Sequence, residues 1–342
     1  MAKKKTSIKD IAKSLGISIT TVSFILNGKA KEKRISEELT LKVEEYIKEV
    51  GYKPSHLAQS LRLGKSKVIV FMVEDISNQF FASIARKIEE KAYKSGYKII
   101  YCSTDNDPEK AKALIDTFKV RSVDGFIITP TPALESTVLE LLEEEFAVLL
   151  FDRWIPSIDC SYVVVENEKS AFEATSHLIQ NGCKNIGFIT VESDQIQMID
   201  RLQGYGHAME SHGLKKNVFM LPFHNLSEFG ASSKIQQYIQ KNSDLDGLFF
   251  ATNYLAFEGL QALNSLKKRI PEDVLLVSFD DHYFFTLFQP NISAIEQPIE
   301  SIAEKLMEGM LMLLEDDESS KPDYKVTLPN ILHIRESSDY KI

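Results

Sequence analysis

Residues 8–30 read IKDIAKSLGISITTVSFILNGKA. Ile8, Ile11, Ala12 and Leu15 recur at i, i+3, i+4 and i+7, which places them on one stripe of a short helix that Gly16 ends. Ser18 can cap a second helix with Val22, Ile25 and Leu26 inward, and Asn27-Gly28 stops it. Two short helices joined by a glycine-bearing turn make a helix-turn-helix. A third helix fits Ser36 to Val50, with Leu39, Val43, Tyr46, Ile47 and Val50 inward and Gly51 at its C-terminal stop. These patterns predict a small all-α head of three helices around one miniature core.

Charge marks the same segment. The 342 residues carry 40 Lys and Arg against 49 Asp and Glu, a formal charge of −9. Up to Lys67 there are 15 basic and 7 acidic residues, net +8, and the remainder holds 25 and 42, net −17. A basic module therefore precedes an acidic body. The second helix is where base sequence would be read, since a helix fits the major groove with its outward side chains on base edges. Thr20, Phe24 and Asn27 lie opposite the apolar stripe. An outward Phe24 either meets thymine methyls or packs on Ile35 or the third helix. Lys3, Lys4, Lys5, Lys29, Lys31, Lys33 and Arg34 flank this helix and suit phosphate contacts.

At this length a single core is unexpected. From Val68 onward short β-branched and apolar runs alternate with helical patterns, a βαβ rhythm that implies parallel sheets covered by helices. The candidate strands are VIVFMVE, KIIYCST, GFIITP, AVLLFD, YVVVE, NIGFITV, GLFFAT and VLLVSFD, with helices such as Asn78 to Ser95, Lys169 to Asn181, Met198 to His212 and Tyr254 to Lys267 between them. Ligands bind beyond the carboxyl ends of such strands, and Asp75, Asp152, Thr190, Asn253 and Asp280 end or follow one.

Other classes find little support. The longest apolar runs fall far short of the roughly 18 residues a membrane span needs. The start, MAKKKTSIKD, has no apolar segment or cleavage site of a secretion signal, so a cytoplasmic protein is expected. Cys102, Cys160 and Cys183 show no CxxC spacing and read as buried apolar side chains. There is no HExxH, GxSxG, P-loop or GxGxxG after the first strand, so no enzyme, cofactor or metal is expected. His207 and His212, five apart, lack metal-pair spacing.

The run from Ile8 to Ser66 resembles the DNA-binding head and hinge of the lac repressor (LacI/GalR-type) family of bacterial transcription regulators. That resemblance assigns base reading to Ile19, Thr20 and Phe24, with Phe24 standing where an Arg that reads guanine is usual. It makes residues 55–67 a hinge helix, HLAQSLRLG, and linker; the helix folds when two copies meet over the operator, with Leu61 wedging into the minor groove and Arg62, Lys65 and Lys67 reaching phosphates. The full DNA-binding set expected is Ser18, Ile19, Thr20, Thr21, Phe24, Asn27, Lys29, Leu61 and Arg62.

The body is similar to the family's effector domain, with signposts SNQFF, DGFIITP, FDR, RLQGY, ATN and VSFDD. The fold class implied is a helix-turn-helix head plus an α/β two-lobed periplasmic-binding-protein-like effector domain. Its expected divisions are 1–54 for the head, 55–67 for the hinge, 68–165 with 297–328 for one lobe, and 166–296 with 329–342 for the other. The resemblance places a small effector between the lobes, ringed by Asp152, Arg201, Asn253 and Asp280, with Phe80, Thr129, Phe151, Gln197 and Gln297 as further lining. Carboxylates accept from adjacent hydroxyls, Arg donates a planar fork and Asn does both, which suits a carbohydrate. In isolation Arg201 has a plainer reading, an ion pair with Asp200 or Glu210 on a solvated face. The aromatic loop at 282–290 lines the cleft or covers a subunit contact, which in the family includes the position of Phe288. The expectation is a homodimeric repressor on a palindromic DNA operator under control of a sugar-like effector; the alternatives are a purine ligand, a protein corepressor, or a sugar-binding protein or enzyme without regulation.

Overall fold

The computed structural model describes residues 6–52, 65–222, 230–315 and 323–340. The expected hinge helix, with Leu61 and Arg62, and the flanking Lys3, Lys4 and Lys5 lie outside the described residues. The chain divides into two compact units, Met1–Ser66 and Lys67–Ile342.

In the first unit, helix α1 (Ile8–Leu15) opens with a capping box in which Ser7 and Asp10 satisfy each other's backbone N–H. Helix α2 (Ile19–Leu26) is capped by Ser18, whose Oγ accepts from the Thr21 backbone N–H at 3.0 Å. Helix α3 (Glu37–Glu49) is capped by Ser36. Gly16 takes φ of +67° to turn between the first two, a conformation that glycine adopts without steric cost. Ile11, Ala12, Val22, Ile25 and Val43 form the buried centre, with Leu15, Ile17, Leu39, Tyr46 and Ile47 packed around it. Val50, expected on that inward stripe, is instead the C-cap of α3 and only half-buried, because the helix ends one residue earlier.

The second unit is built on two six-stranded sheets. The first contains β1 (Val68–Val73), β2 (Lys98–Ser103), β3 (Gly125–Ile128), β4 (Ala147–Phe151), β5 (Tyr162–Val165) and, returning late in the chain, β11 (Lys325–Leu328). Its order is β11-β5-β4-β3-β1-β2 and every pairing is parallel. The second contains β6 (Ile186–Val191), β7 (Asn217–Leu221), β8 (Gly247–Phe250), β9 (Leu275–Phe279), β10 (Ser293–Glu296) and β12 (Ile331–His333). Its order is β12-β10-β9-β8-β6-β7, parallel except for β12. The eight apolar runs all became strands. The further strands β7, β10, β11 and β12 are short; β10, β11 and β12 lack the apolar run that marks a buried parallel strand, whereas β7 carries one in Val218–Leu221 yet is mostly half-buried or exposed.

Helices α4 (Gln79–Lys94), α5 (Pro108–Val120), α6 (Glu135–Glu143) and α11 (Ile299–Leu313) cover the first sheet. Helices α7 (Asn167–Gln180), α8 (Ile196–Ser211), α9 (Ala231–Lys241) and α10 (Asn253–Ser265) cover the second. The chain thus changes sheet between β5 and α7, between β10 and α11, and between β11 and β12. The α11 stripe of Ile302, Ala303, Leu306, Met310 and Leu313 is spent on the core of the first sheet. Helices α7 and α8 meet at Gly204, where a Cβ would fall 2.1 Å from the Glu168 carbonyl oxygen, so only glycine allows that approach.

Both sheets repeat one topology, with the strand order reversing beside β1 in the first and beside β6 in the second. Such switch points open a crevice at the carboxyl ends of the strands. The repeat places Phe151-Asp152 after β4 and Phe279-Asp280 after β9, and both aspartates adopt positive φ, 68° and 66°. A non-glycine residue held there costs about 1–3 kcal/mol and is tolerated best by Asn and Asp.

Candidate ligand cleft and DNA-reading helix

Between the two sheets lie two adjoining pockets that share Phe80, Asn253, Asp280 and Gln297. One is bounded by Glu74, Asp152 and Arg153 from the first sheet and by Gln195, Gln197 and Arg201 from the second. The other runs past His282 and Tyr283 to Glu296.

Two buried guanidinium groups organise this space. Arg201, on α8, donates from Nε to Asn167 Oδ1 at 2.9 Å, and from Nη1 to the Ala251 carbonyl at 2.8 Å and to Asp280 Oδ2 at 3.3 Å. Its guanidinium lies 3.6 Å from the Phe279 ring centroid. The solvated pairing with Asp200 or Glu210 is not what forms, since Glu210 pairs with Lys216 and Arg201 points inward. Arg153 donates to Glu74 at 2.9 Å and to Asp152 and Asn106 at 3.2 Å each. Asp280 accepts from both sides: Gln297 Nε2 donates to its Oδ1 at 2.6 Å while Arg201 takes Oδ2. Burial pushes the Asp152 carboxyl above the usual carboxylate range, against the pull of Arg153 and Arg201. Burial likewise pushes the Tyr254 phenol up to about 12.

Seven of the nine residues expected around the effector line these pockets: Phe80, Asp152, Gln197, Arg201, Asn253, Asp280 and Gln297. Phe151 stands one layer behind, its ring stacked on Phe80 at 6.0 Å. Thr129 is buried beyond β3, outside the lining, with no partner for its hydroxyl. Within the lining Gln197 donates to Gln195 at 3.2 Å while its own Oε1 is buried without a partner. Sequence reasoning missed Glu74, Arg153, Asn167 and Gln195. Arg153 stood in the quoted FDR motif, and Asn167 had no signal, since its role is to hold Arg201 from another helix.

On α2, Ser18, Ile19 and Thr20 are exposed and Thr21 is half-exposed. Phe24 is half-buried, does not join the core of the head, and lies under Lys33 Nζ at 5.6 Å. Asn27 turns back on its own helix, its amide nitrogen donating to the Ser23 carbonyl, and Lys29 is exposed.

Other sequence features resolve plainly. Cys160 and Cys183 are buried and Cys102 half-buried; burial pushes the Cys160 thiol up to about 12. His207 and His212 are both exposed, the former on Glu168 at 2.8 Å. Asp281, Glu296 and His333 lie close together; Arg335 clasps both Asp281 oxygens and a His333 ring nitrogen is hydrogen-bonded to Glu296 at 2.5 Å. Among the described residues no helix is long and apolar enough to cross a membrane.

A helix-turn-helix unit on the same chain as a paired α/β body with a polar cleft defines a DNA-binding regulator carrying a ligand-type domain. The family described as bacterial regulatory proteins, lacI family, matches residues 7–55, and the periplasmic binding protein-like domain matches residues 175–338. The HTH-type transcriptional regulator RegA of Clostridium saccharobutylicum is 32% identical over 321 residues, 93% of this chain and 96% of that one. The ribose operon repressor of Halalkalibacterium halodurans is 30% identical over 333 residues, 97% of each. The lac repressor dimer bound to operator and the anti-inducer ONPF has the same fold, with a TM-score of 0.83 at 18% identity over 98% of this chain and 99% of that one. The chain belongs to the lacI family of bacterial regulatory proteins. It is a DNA-binding transcription regulator and not an enzyme.

Proposed function

We propose that the cleft takes a small uncharged carbohydrate and that its occupancy sets the affinity of a homodimer for a palindromic operator, with repression in the cytoplasm as the outcome. The observation that carries this reading is the paired arrangement of Asp152 with Arg153 and Asp280 with Arg201 on opposite walls. Each pair offers acceptors beside donors, the pattern that adjacent hydroxyls satisfy. Glu74, Asp152 and Asp280 against Arg153 and Arg201 leave no surplus positive charge for a phosphate or carboxylate on the ligand. Asn253, Gln197 and Gln297 extend the hydrogen-bonding set, Phe80 offers a ring face to the C–H side of a sugar, and Phe151 and Thr129 support from behind. The name of the ribose operon repressor among the relatives supports a sugar.

In the head, Ser18, Ile19, Thr20, Thr21 and Phe24 would meet base edges, with Asn27 and Lys29 at the end of the helix toward the backbone. Leu61 and Arg62 would contribute a minor-groove wedge and a phosphate contact. The lobes that close on the ligand would be 68–165 with 297–328 and 166–296 with 329–342, and by linkage a ligand that changes DNA affinity is itself bound differently on DNA, by about 1–3 kcal/mol.

A thermal-shift panel of pentoses, hexoses, their phosphates and purines tests the cleft. A ligand at about 100 times its Kd adds about 2.7 kcal/mol of stability. Stabilisation by a free sugar and not by its phosphate is expected. Stabilisation by a purine alone, or by no metabolite, would overturn the assignment and point to a purine effector or a protein corepressor.

A further inference from the structure

A third space lies outside the cleft, along β5 and the start of α7, and its free volume of about 450 Å³ exceeds the roughly 180 and 60 Å³ of the two cleft pockets. The first sheet supplies Trp154 and Tyr162, whose rings sit 5.5 Å apart at 31° and form a half-buried aromatic shelf. Across from them are Phe172, 37% exposed, and the carboxylates of Glu166, Glu168 and Asp200.

Charge decides what such a groove favours. Lys169 is occupied by Glu166 at 2.8 Å, and Glu168 by His207 at 2.8 Å. Asp200 is half-buried and, among the described residues, accepts no hydrogen bond. Burial and the neighbouring Glu168 push its carboxyl up to about 6. A carboxylate in that position is stabilised by a cation brought to it. Trp154 and Tyr162 pack on the core of the first sheet and on each other, and the ring surface that both leave along the groove is what the same cation would meet. A neutral polyol would use the shelf but leave Asp200 uncompensated. An anion would meet three carboxylates.

We propose that this groove is a second ligand site and that it binds a small organic ammonium ion, with Trp154 and Tyr162 as the cation–π platform and Asp200 as the counter-ion. The site is independent of the carbohydrate reading of the cleft.

Trp154 is the single tryptophan of the chain and so reports on the groove directly. The full-length protein is titrated with putrescine and with tetramethylammonium, against sodium chloride at matched ionic strength. Saturable change in tryptophan fluorescence with either ammonium ion and not with sodium is expected, and isothermal titration should give the same Kd. Asp200→Asn, which keeps the shape and removes the charge, should weaken binding about tenfold, and Phe172→Ala should weaken it less. A thermal melt establishes that each variant is folded. Absence of saturable binding by both methods would overturn the proposal, as would an unchanged Kd in folded Asp200→Asn.

Discussion

Asp280 and Gln297 are joined by a 2.6 Å hydrogen bond from the Gln297 amide nitrogen to Asp280 Oδ1. Gln297 lies between β10, in the second sheet, and α11, which packs on the first, so the bond ties a wall of the cleft to one of the segments where the chain changes sheet. The other Asp280 oxygen is held by Arg201. Gln297→Ala frees one oxygen and removes a cleft donor. Affinity for the sugar that stabilises the protein should fall about tenfold, while the melting free energy drops by only about 0.5–1.5 kcal/mol. Calorimetric titration beside a denaturant melt checks both, and an unchanged Kd would remove Gln297 from the site.

Arg201→Ala leaves Asn167 Oδ1 without its donor and Asp280 held by Gln297 alone, which costs about 3 kcal/mol of body stability. The ligand response should vanish while operator binding persists in a gel-shift or anisotropy assay. Loss of both in a protein that still melts cooperatively would refute the separation of cleft and head.

Asp200 yields a pH signature. Its folded carboxyl lies at about 6 against an ordinary value of 3.8. A raised carboxyl means that the folded state holds the proton longer than the unfolded one, so stability falls as pH rises through this window and the full cost is present above it. Asp200→Asn removes that cost. After allowance for solvent screening the variant should gain about 1 kcal/mol at pH 8 and nothing at pH 4. Denaturant melts at the two pH values check this, and an equal gain at both would show that charge is not the cause.

In the head, packing and reading are carried by different residues. Ile11 is fully buried, in a core that among the described residues holds four other buried side chains, so Ile11→Ala should cost about 2–5 kcal/mol, enough to unfold so small a unit. Phe24 is outside that core and under Lys33. Phe24→Ala should leave helicity intact by circular dichroism and reduce operator affinity, and Phe24→Arg should shift preference at one symmetric base pair. Unchanged preference in both would withdraw Phe24 from the reading surface.

Much of this molecule was legible in the chain because local periodicity reports burial. The stripe Ile8, Ile11, Ala12 and Leu15 and the caps Ser18 and Ser36 located the head, and eight apolar runs located the central strands. The edge strands β11 and β12 escaped, since a half-exposed strand need not be apolar, and β7 escaped although its NVFML is largely apolar. The cleft was legible as types at strand ends, Asp152 and Asp280 among them, but not as a set of partners.

The sequence alone determined the division of charge, the helix-turn-helix and the alternation of strands and helices, because each depends on neighbours a few residues away. Only the tertiary structure decided that Arg201 turns inward to Asn167, Ala251 and Asp280 instead of outward to Asp200 or Glu210, and that Trp154 and Asp200 border one groove. Those pairings join residues about 34 to 79 positions apart. A buried charge takes whichever partners the packed sheets and helices bring to it, since leaving it unpaired costs more than any local preference supplies.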